Sequence, residues 1–249
     1  MVDKKGSVPE KKRGGLASRK SGRSSVSEID AFLDTLARTP APPTGDDRGR
    51  LIFGMDATAS REAMWDRAAK IQGEMFVETA ALGGLDLQLA FYRGFGEFKV
   101  SNWVSDGTQL LSLMTSVFCL AGETQIAKLL KHATNEAERH KINAVVFVGD
   151  CVEEDVDKLG GIAGKLGILG VPVFMFQEGN DPIAAYAFKQ IARLSGGASC
   201  HFDASSATVL ADLLKAVAVF AAGGRPALED LGKKRGGEAL RIAHQLKGT

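Results

Sequence analysis

Hydrophobic and polar positions change period several times along the chain, and each change marks an element. Residues 51–55 form a short apolar run ending at Asp56, the pattern of a buried strand. Met64, Ala68, Ile71 and Met75 then recur at helical spacing until Gly83-Gly84 stops them. Leu85, Leu87, Leu89 and Phe91 alternate with Asp86, Gln88 and Ala90, which predicts a half-buried strand. Gly94 and Gly96 turn the chain into 98–103, its expected hairpin mate. A helix follows from about 105 to 120, and Ile126, Leu129, Leu130 and Ala133 mark another. Segments 144–148 and 171–176 read as uninterrupted buried strands, and 198–202 as a weaker one. Asp181-Pro182 is an N-cap with proline at the first helical position, opening a helix with Ile183, Tyr186, Ile191 and Leu194. Ser205 or Ser206 caps a last helix carrying Leu210, Leu213, Leu214 and Val217.

Continuous apolar strands separated by helices imply a sheet covered on both faces. The expected fold is α/β: a doubly wound, mostly parallel six-stranded sheet with one antiparallel edge strand and helices on both faces. Many of the 29 glycines fall at strand–helix joints, so their number reflects turns rather than low complexity.

The flanks differ from this middle. Residues 1–50 carry 11 Lys/Arg and 7 Asp/Glu, so the net charge of +1 hides a basic tail and an acidic remainder. A segment this polar cannot bury enough surface to offset its ordering entropy. Within it, Ile29, Phe32, Leu33 and Leu36 line one face of a short helix over 27–38. A helix this short is marginal alone and must dock, either on its own domain or in a groove of a partner. The expected organisation is a tail over 1–50, a domain over 51–224 and an appendage over 225–249. The appendage has one small helical face, Leu240, Ile242, Ala243 and Leu246.

Composition removes several classes. At 45% hydrophobic and 24% charged residues the chain is globular in type. Three cysteines cannot form a disulfide framework. No apolar run approaches the ~18 residues of a membrane span, and no secretory h-region opens the chain. A cytoplasmic location is expected. The basic run has no interleaved aromatic residue for stacking on bases, so nucleic-acid binding through the tail is the weaker reading.

In doubly wound sheets ligands bind beyond the carboxyl ends of the strands. Three loops reach that edge: Asp56-Ala57-Thr58-Ala59-Ser60, Gly122-Glu123-Thr124 and Gly149-Asp150. Together they offer carboxylates and hydroxyls, an all-oxygen set suited to a hard cation such as Mg²⁺. This pattern resembles the von Willebrand factor A (VWA) family and its metal-ion-dependent adhesion site (MIDAS), Asp-x-Ser-x-Ser followed by a Thr and a later Asp. The counterparts are Asp56, Thr58, Ser60, Thr124 and Asp150, with Thr58 replacing the middle Ser. The resemblance implies that the hydroxyls of Thr58, Ser60 and Thr124 reach the metal directly and that Asp56 and Asp150 act mostly through water. It implies a non-enzymatic, protein-binding module. Mg²⁺, or Mn²⁺ or Ca²⁺, bridges to an Asp or Glu of a partner, with an AAA+ ATPase or an intracellular assembly as the setting. Glu153, Glu154 and Asp155 crowd the same edge and would either strengthen cation binding or repel an acidic partner.

Rival chemistry is poorly served. A metal-dependent phosphate hydrolase using Asp56 would want an Asp at position 58, which is Thr. Residues 160–165, Gly-Gly-Ile-Ala-Gly-Lys, imitate a P-loop but are flanked by Leu159 and Leu166 where Gly and Ser/Thr are required. Cys119 and Cys200 read as core residues, Cys151 as an unreactive thiol among acids, and His132 and His140 as helix surface.

Overall fold

A computed structural model describes residues 26–39, 48–61, 85–202 and 207–235. The helix expected from Met64 to Met75, the basic run before residue 26 and the face Leu240–Leu246 lie outside the described residues.

The six expected strands are present: β1 Gly49–Asp56, β2 Leu85–Arg93, β3 Glu97–Val100, β4 Ala144–Gly149, β5 Val173–Glu178 and β6 Ser199–Phe202. They form one sheet in the order β3-β2-β1-β4-β5-β6. Only the β2–β3 pair is antiparallel. Chain order reverses between β1 and β4, which makes their carboxyl ends the switch point of the sheet.

Alternate side chains of each strand feed two separate cores. Leu51, Phe53 and Met55 of β1 join Val146, Val148, Phe174 and Phe176 on one face. That face is covered by α1 (Val26–Arg38), α2 (Gly107–Thr115) and α6 (Ala207–Arg235, interrupted by a non-helical Gly224). Ile52, Ala90, Tyr92, Val145, Phe147 and Met175 point to the other face. There they meet α3 (Ile126–Arg139), α4 (Val156–Ile168) and α5 (Pro182–Ser195). Asp56 shares the parity of Ile52 and Gly54, so it leaves β1 on the α3 side. At Gly54 a Cβ would lie 2.3 Å from a methyl of Leu129; the missing side chain lets α3 sit close to β1.

Several expectations need correction. Strand β2 is buried on both faces through most of its length, because α3 covers Ala90 and Tyr92; it is not half-buried. Helix α2 is shorter than 105–120. Asp106 caps it, and the hydroxyls of Thr115 and Ser116 bond back to the carbonyls of Leu111 and Leu113 at its end. The freed stretch runs on as a loop in which Leu120 bridges to Thr58. On α5 the buried face is Ala184, Ala187, Phe188, Ile191 and Ala192, while Ile183, Tyr186 and Leu194 are exposed. Asp181 does cap that helix, accepting from the N–H of Ala184 at 2.6 Å. Glycines 160–164 lie inside α4, where helical backbone cannot cradle a phosphate. His132 is half-buried against Gln88 rather than on the surface, and Cys119 is only partly buried.

The helix over 27–38 forms as α1, but its apolar face is taken. Ile29, Phe32, Leu33 and Leu36 are buried within the chain's own core. The ring of Phe32 lies 5.2 Å from that of Phe176 and 6.0 Å from that of Phe174. Of the two ways these residues could be satisfied, docking on the same domain is the one observed, which leaves no apolar stripe for a partner. The folded unit therefore includes α1 and does not begin at residue 51. Among the described residues no helix is long and apolar enough to cross a membrane.

Candidate metal centre

Three loops at the carboxyl edge are stitched together by backbone bonds. The N–H of Ala57 donates to the carbonyl of Tyr92, at the end of β2, over 2.9 Å. The N–H of Leu120 donates to the carbonyl of Ala57 over 3.0 Å, which draws loop 116–125 against the start of the Asp56–Ser60 loop. Gly122 then packs on the β2–β3 turn; a Cβ there would fall 2.1 Å from the carbonyl oxygen of Gly94. Only glycine allows that approach.

Asp56 is fully buried. Its Oδ1 accepts from the N–H of Thr58 at 2.8 Å, and its Oδ2 accepts from the hydroxyl of Tyr92 at 3.1 Å. Burial pushes its carboxyl above the usual carboxylate range, and the nearby Asp150 charge adds to this, against the bonds from Thr58 and the charge of Arg61. A buried carboxylate that resists ionisation favours a compensating cation. Thr58 is buried and its hydroxyl lies 3.1 Å from that of the exposed Ser60.

Asp150 follows β4 and approaches Asp56. Ligand atoms of Asp56, Asp150 and Cys151 all lie within 4.8 Å of one another. Oδ1 of Asp150 is buried with no hydrogen-bond partner among the described residues. An orphaned carboxylate oxygen is costly, and a metal or its bound water would satisfy it. Burial, then the charges of Asp150 and Asp56, push the Cys151 thiol up to about 12, so it stays protonated at neutral pH and is a poor nucleophile.

Thr124 is buried and its Oγ1 accepts from the N–H of Glu153 at 3.0 Å, while its own N–H donates to Glu153 Oε2 at 2.9 Å. The reciprocal pair ties loop 116–125 to the Asp150 loop and leaves the Thr124 oxygen a second lone pair. The neighbouring acids are occupied. Glu154 accepts from the N–H groups of Ile126 (2.6 Å) and Ala127 (2.9 Å), capping the start of α3. Asp155 accepts from the N–H groups of Asp157 and Lys158 at the start of α4. The acidic run thus caps helices and loops through its oxygens, and its carboxylates remain beside the site.

Two residues of this edge carry no motif in the sequence. Tyr92 holds Asp56 from across the sheet; its place follows from the β1–β2 register, which pairs Asp56 with Tyr92. Arg61 is 1% exposed. It donates to the carbonyls of Asp56 (3.2 Å) and Val148 (3.1 Å) and to Glu178 Oε2 (3.0 Å), so one guanidinium joins the ends of β1, β4 and β5. A lone basic residue at the buried end of the Asp56 loop was the available signal.

No family model and no curated protein matches the chain, but solved structures do. The VWA domain of SpRpn10 superposes with a TM-score of 0.55 at 13% identity, over 68% of this chain and 94% of that domain. The fold is that of the VWA domain. Proximal thread matrix protein 1 of the mussel byssus, in a form described as having a zinc-occupied MIDAS motif, matches at TM-score 0.54 and 14% identity, over 69% of this chain and 46% of that one. The PilB minor pilin of Streptococcus sanguinis matches at 0.54 and 10%, over 71% and 62%. The chain therefore spans nearly all of the SpRpn10 domain but less than two thirds of the other two proteins. At these identities the likeness establishes the VWA fold, as the sequence resemblance implied.

Proposed function

We propose that this VWA domain is a metal-dependent protein-binding module. The hydroxyls of Thr58, Ser60 and Thr124 would hold a divalent cation, Mg²⁺ by ligand chemistry, with Asp56 and Asp150 held near it through water. The observation that carries the reading is the orphaned, buried Oδ1 of Asp150 close to Asp56. Hydroxyl ligands donate little charge, so a cation held by these residues would keep strong Lewis acidity toward a further ligand. A carboxylate of a partner protein would fill it. The protein side of this is preorganisation: Tyr92 and Thr58 fix Asp56, Glu153 fixes Thr124, and Arg61 fixes the strand ends beneath them. The zinc-occupied MIDAS of the mussel byssus protein supports the reading by analogy of fold. An assembly around an AAA+ ATPase is the setting the sequence resemblance suggests.

Melting temperature against Mg²⁺ tests it. Metal at about 100 times its Kd stabilises the folded state by about 2.7 kcal/mol, a rise of several degrees. The rise should vanish in Asp56→Ala and Asp150→Ala. No shift with Mg²⁺, Mn²⁺ or Ca²⁺ in the wild type would overturn the metal site. Pull-downs with and without EDTA then read the partner.

A further inference from the structure

Beside the candidate metal centre lies a patch that the fold does not use. Phe95 is 83% exposed, Phe118 59% and Leu120 39%. Large apolar groups rarely gather in the open without a binding role. These three come from two segments held rigidly together. Phe95 tips the β2–β3 turn between Gly94 (φ 58°) and Gly96 (φ 108°). The N–H of Gly94 donates to the carbonyl of Leu120. Arg93 donates to the carbonyl of Phe118 at 2.9 Å, and its guanidinium lies 4.0 Å from the centre of the Phe118 ring. Leu120 in turn bridges to Thr58, so the loop that carries Phe118 and Leu120 runs beside the candidate metal centre.

Its border carries charges of both signs: Arg93, Lys99 and Lys128 beside Glu97, Glu123, Glu153 and Glu154. Glu97 is bound by Arg93 (2.9 Å) and Lys99 (3.0 Å). The Lys128 ammonium is fixed over the turn by the carbonyl of Gly96 at 2.8 Å and by Gln125 at 2.7 Å. Glu153 and Glu154 are held in place by bonds from backbone N–H groups.

We propose that Phe95, Phe118 and Leu120 form the second half of the partner site, receiving an aromatic or branched aliphatic side chain next to the partner's metal-bound Asp or Glu. The occupant is a peptide segment that pairs one carboxylate with one large apolar residue. This rests on the metal-site reading above. Rigid apolar contacts at the centre of an interface carry most of its affinity, and a lone carboxylate on Mg²⁺ would give little selectivity.

The test pans a phage-displayed library of random short peptides on the full chain in Mg²⁺, then measures a synthetic consensus peptide. Selected peptides should carry Asp or Glu with an aromatic or branched aliphatic residue nearby. The consensus peptide should bind about tenfold or more weakly to Phe95→Ser and Phe118→Ser, and not at all in EDTA. Acidic peptides with no apolar preference, bound equally by both variants, would overturn the patch and leave the metal site standing. Apolar peptides bound equally in EDTA and by Asp150→Ala would overturn the link between patch and metal. So would the absence of any selected peptide. The wild-type melting shift with Mg²⁺ reads the metal site separately. A chain that sediments as a dimer, and becomes a monomer on Phe118→Ser, would make a second copy the occupant and overturn the proposal.

Discussion

The Tyr92 hydroxyl donates to Oδ2 of Asp56 over 3.1 Å, and the two residues are paired across the β1–β2 register. The ring of Tyr92 stacks near that of Phe147, with centroids 6.1 Å apart. Tyr92→Phe keeps this packing and removes one donor from a buried carboxylate. A hydrogen bond to a charged group contributes about 1.5–3 kcal/mol. At about 2–4 °C per kcal/mol for a domain of this size, the metal-free melting temperature should fall by roughly 3–12 °C. An unchanged value would mean that Tyr92 does not restrain Asp56.

Asp56 makes the sign of pH dependence testable. Its folded pKa is raised, first by burial, so the native state binds a proton that the unfolded state releases. Between the two pKa values stability falls as pH rises. From this group, the metal-free protein becomes more stable as pH drops from neutral through the raised pKa. Mg²⁺ needs the carboxylate, so its stabilising increment shrinks over the same range. Melting curves in EDTA and in Mg²⁺ should therefore converge on acidification. Asp56→Asn keeps the shape, removes this part of the EDTA trend and abolishes the Mg²⁺ increment. A Mg²⁺ increment that persists in Asp56→Asn would contradict a role for Asp56 in holding the cation.

Arg61 and Glu178 form a nearly enclosed pair, 1% and 13% exposed at their side chains. Removing one member of such a pair strands the other charge and costs about 3–5 kcal/mol. Arg61→Leu should lose at least that much, because the bonds to the carbonyls of Asp56 and Val148 go too. The double variant Arg61→Leu with Glu178→Leu should recover part of the loss, since no uncompensated carboxylate remains. Urea denaturation of the four proteins measures the coupling. Additive losses would show that the ion pair itself contributes nothing.

The sheet was legible because β1, β4 and β5 are short, buried apolar runs between breakers, and β2 alternates apolar and polar residues. The placement of the candidate residues was legible through residue type and order: Asp56, Thr58, Ser60, Thr124 and Asp150 all fall at the carboxyl edge of the sheet. What stayed hidden depends on contacts between distant segments. Tyr92 reads as the polar end of a strand until register sets it opposite Asp56. Glu153 and Glu154 read as a charge cluster until their backbone partners at Thr124, Ile126 and Ala127 are known. On α5, Ile183 and Tyr186 looked like the apolar face because they are large. Half of the buried positions there are alanines, and α4 and α5 pack closely: a Cβ on Gly167 would lie 2.3 Å from the carbonyl oxygen of Leu194.

Gly122 carries the last prediction. Its Cα lies so close to the β2–β3 turn that a methyl group would overlap the Gly94 backbone at 2.1–2.4 Å. Backbone cannot yield as a flexible side chain can, so Gly122→Ala must push the two segments apart. Thr124 lies two residues on, and its hydroxyl position depends on how loop 116–125 seats between Ala57 and Glu153. The variant should therefore lose global stability by about 1–3 kcal/mol, the usual cost of overpacking, and lose Mg²⁺ affinity by more than tenfold through misplacement of Thr124. Thr124→Ala, which loses the hydroxyl bond but keeps the backbone bond to Glu153 and the Gly122–Gly94 contact, should lose Mg²⁺ affinity with a smaller change in stability. Calorimetric titration of Mg²⁺ into both variants, beside their urea midpoints, separates the two effects. Wild-type Mg²⁺ affinity in Gly122→Ala would mean that the seating of loop 116–125 does not place a ligand.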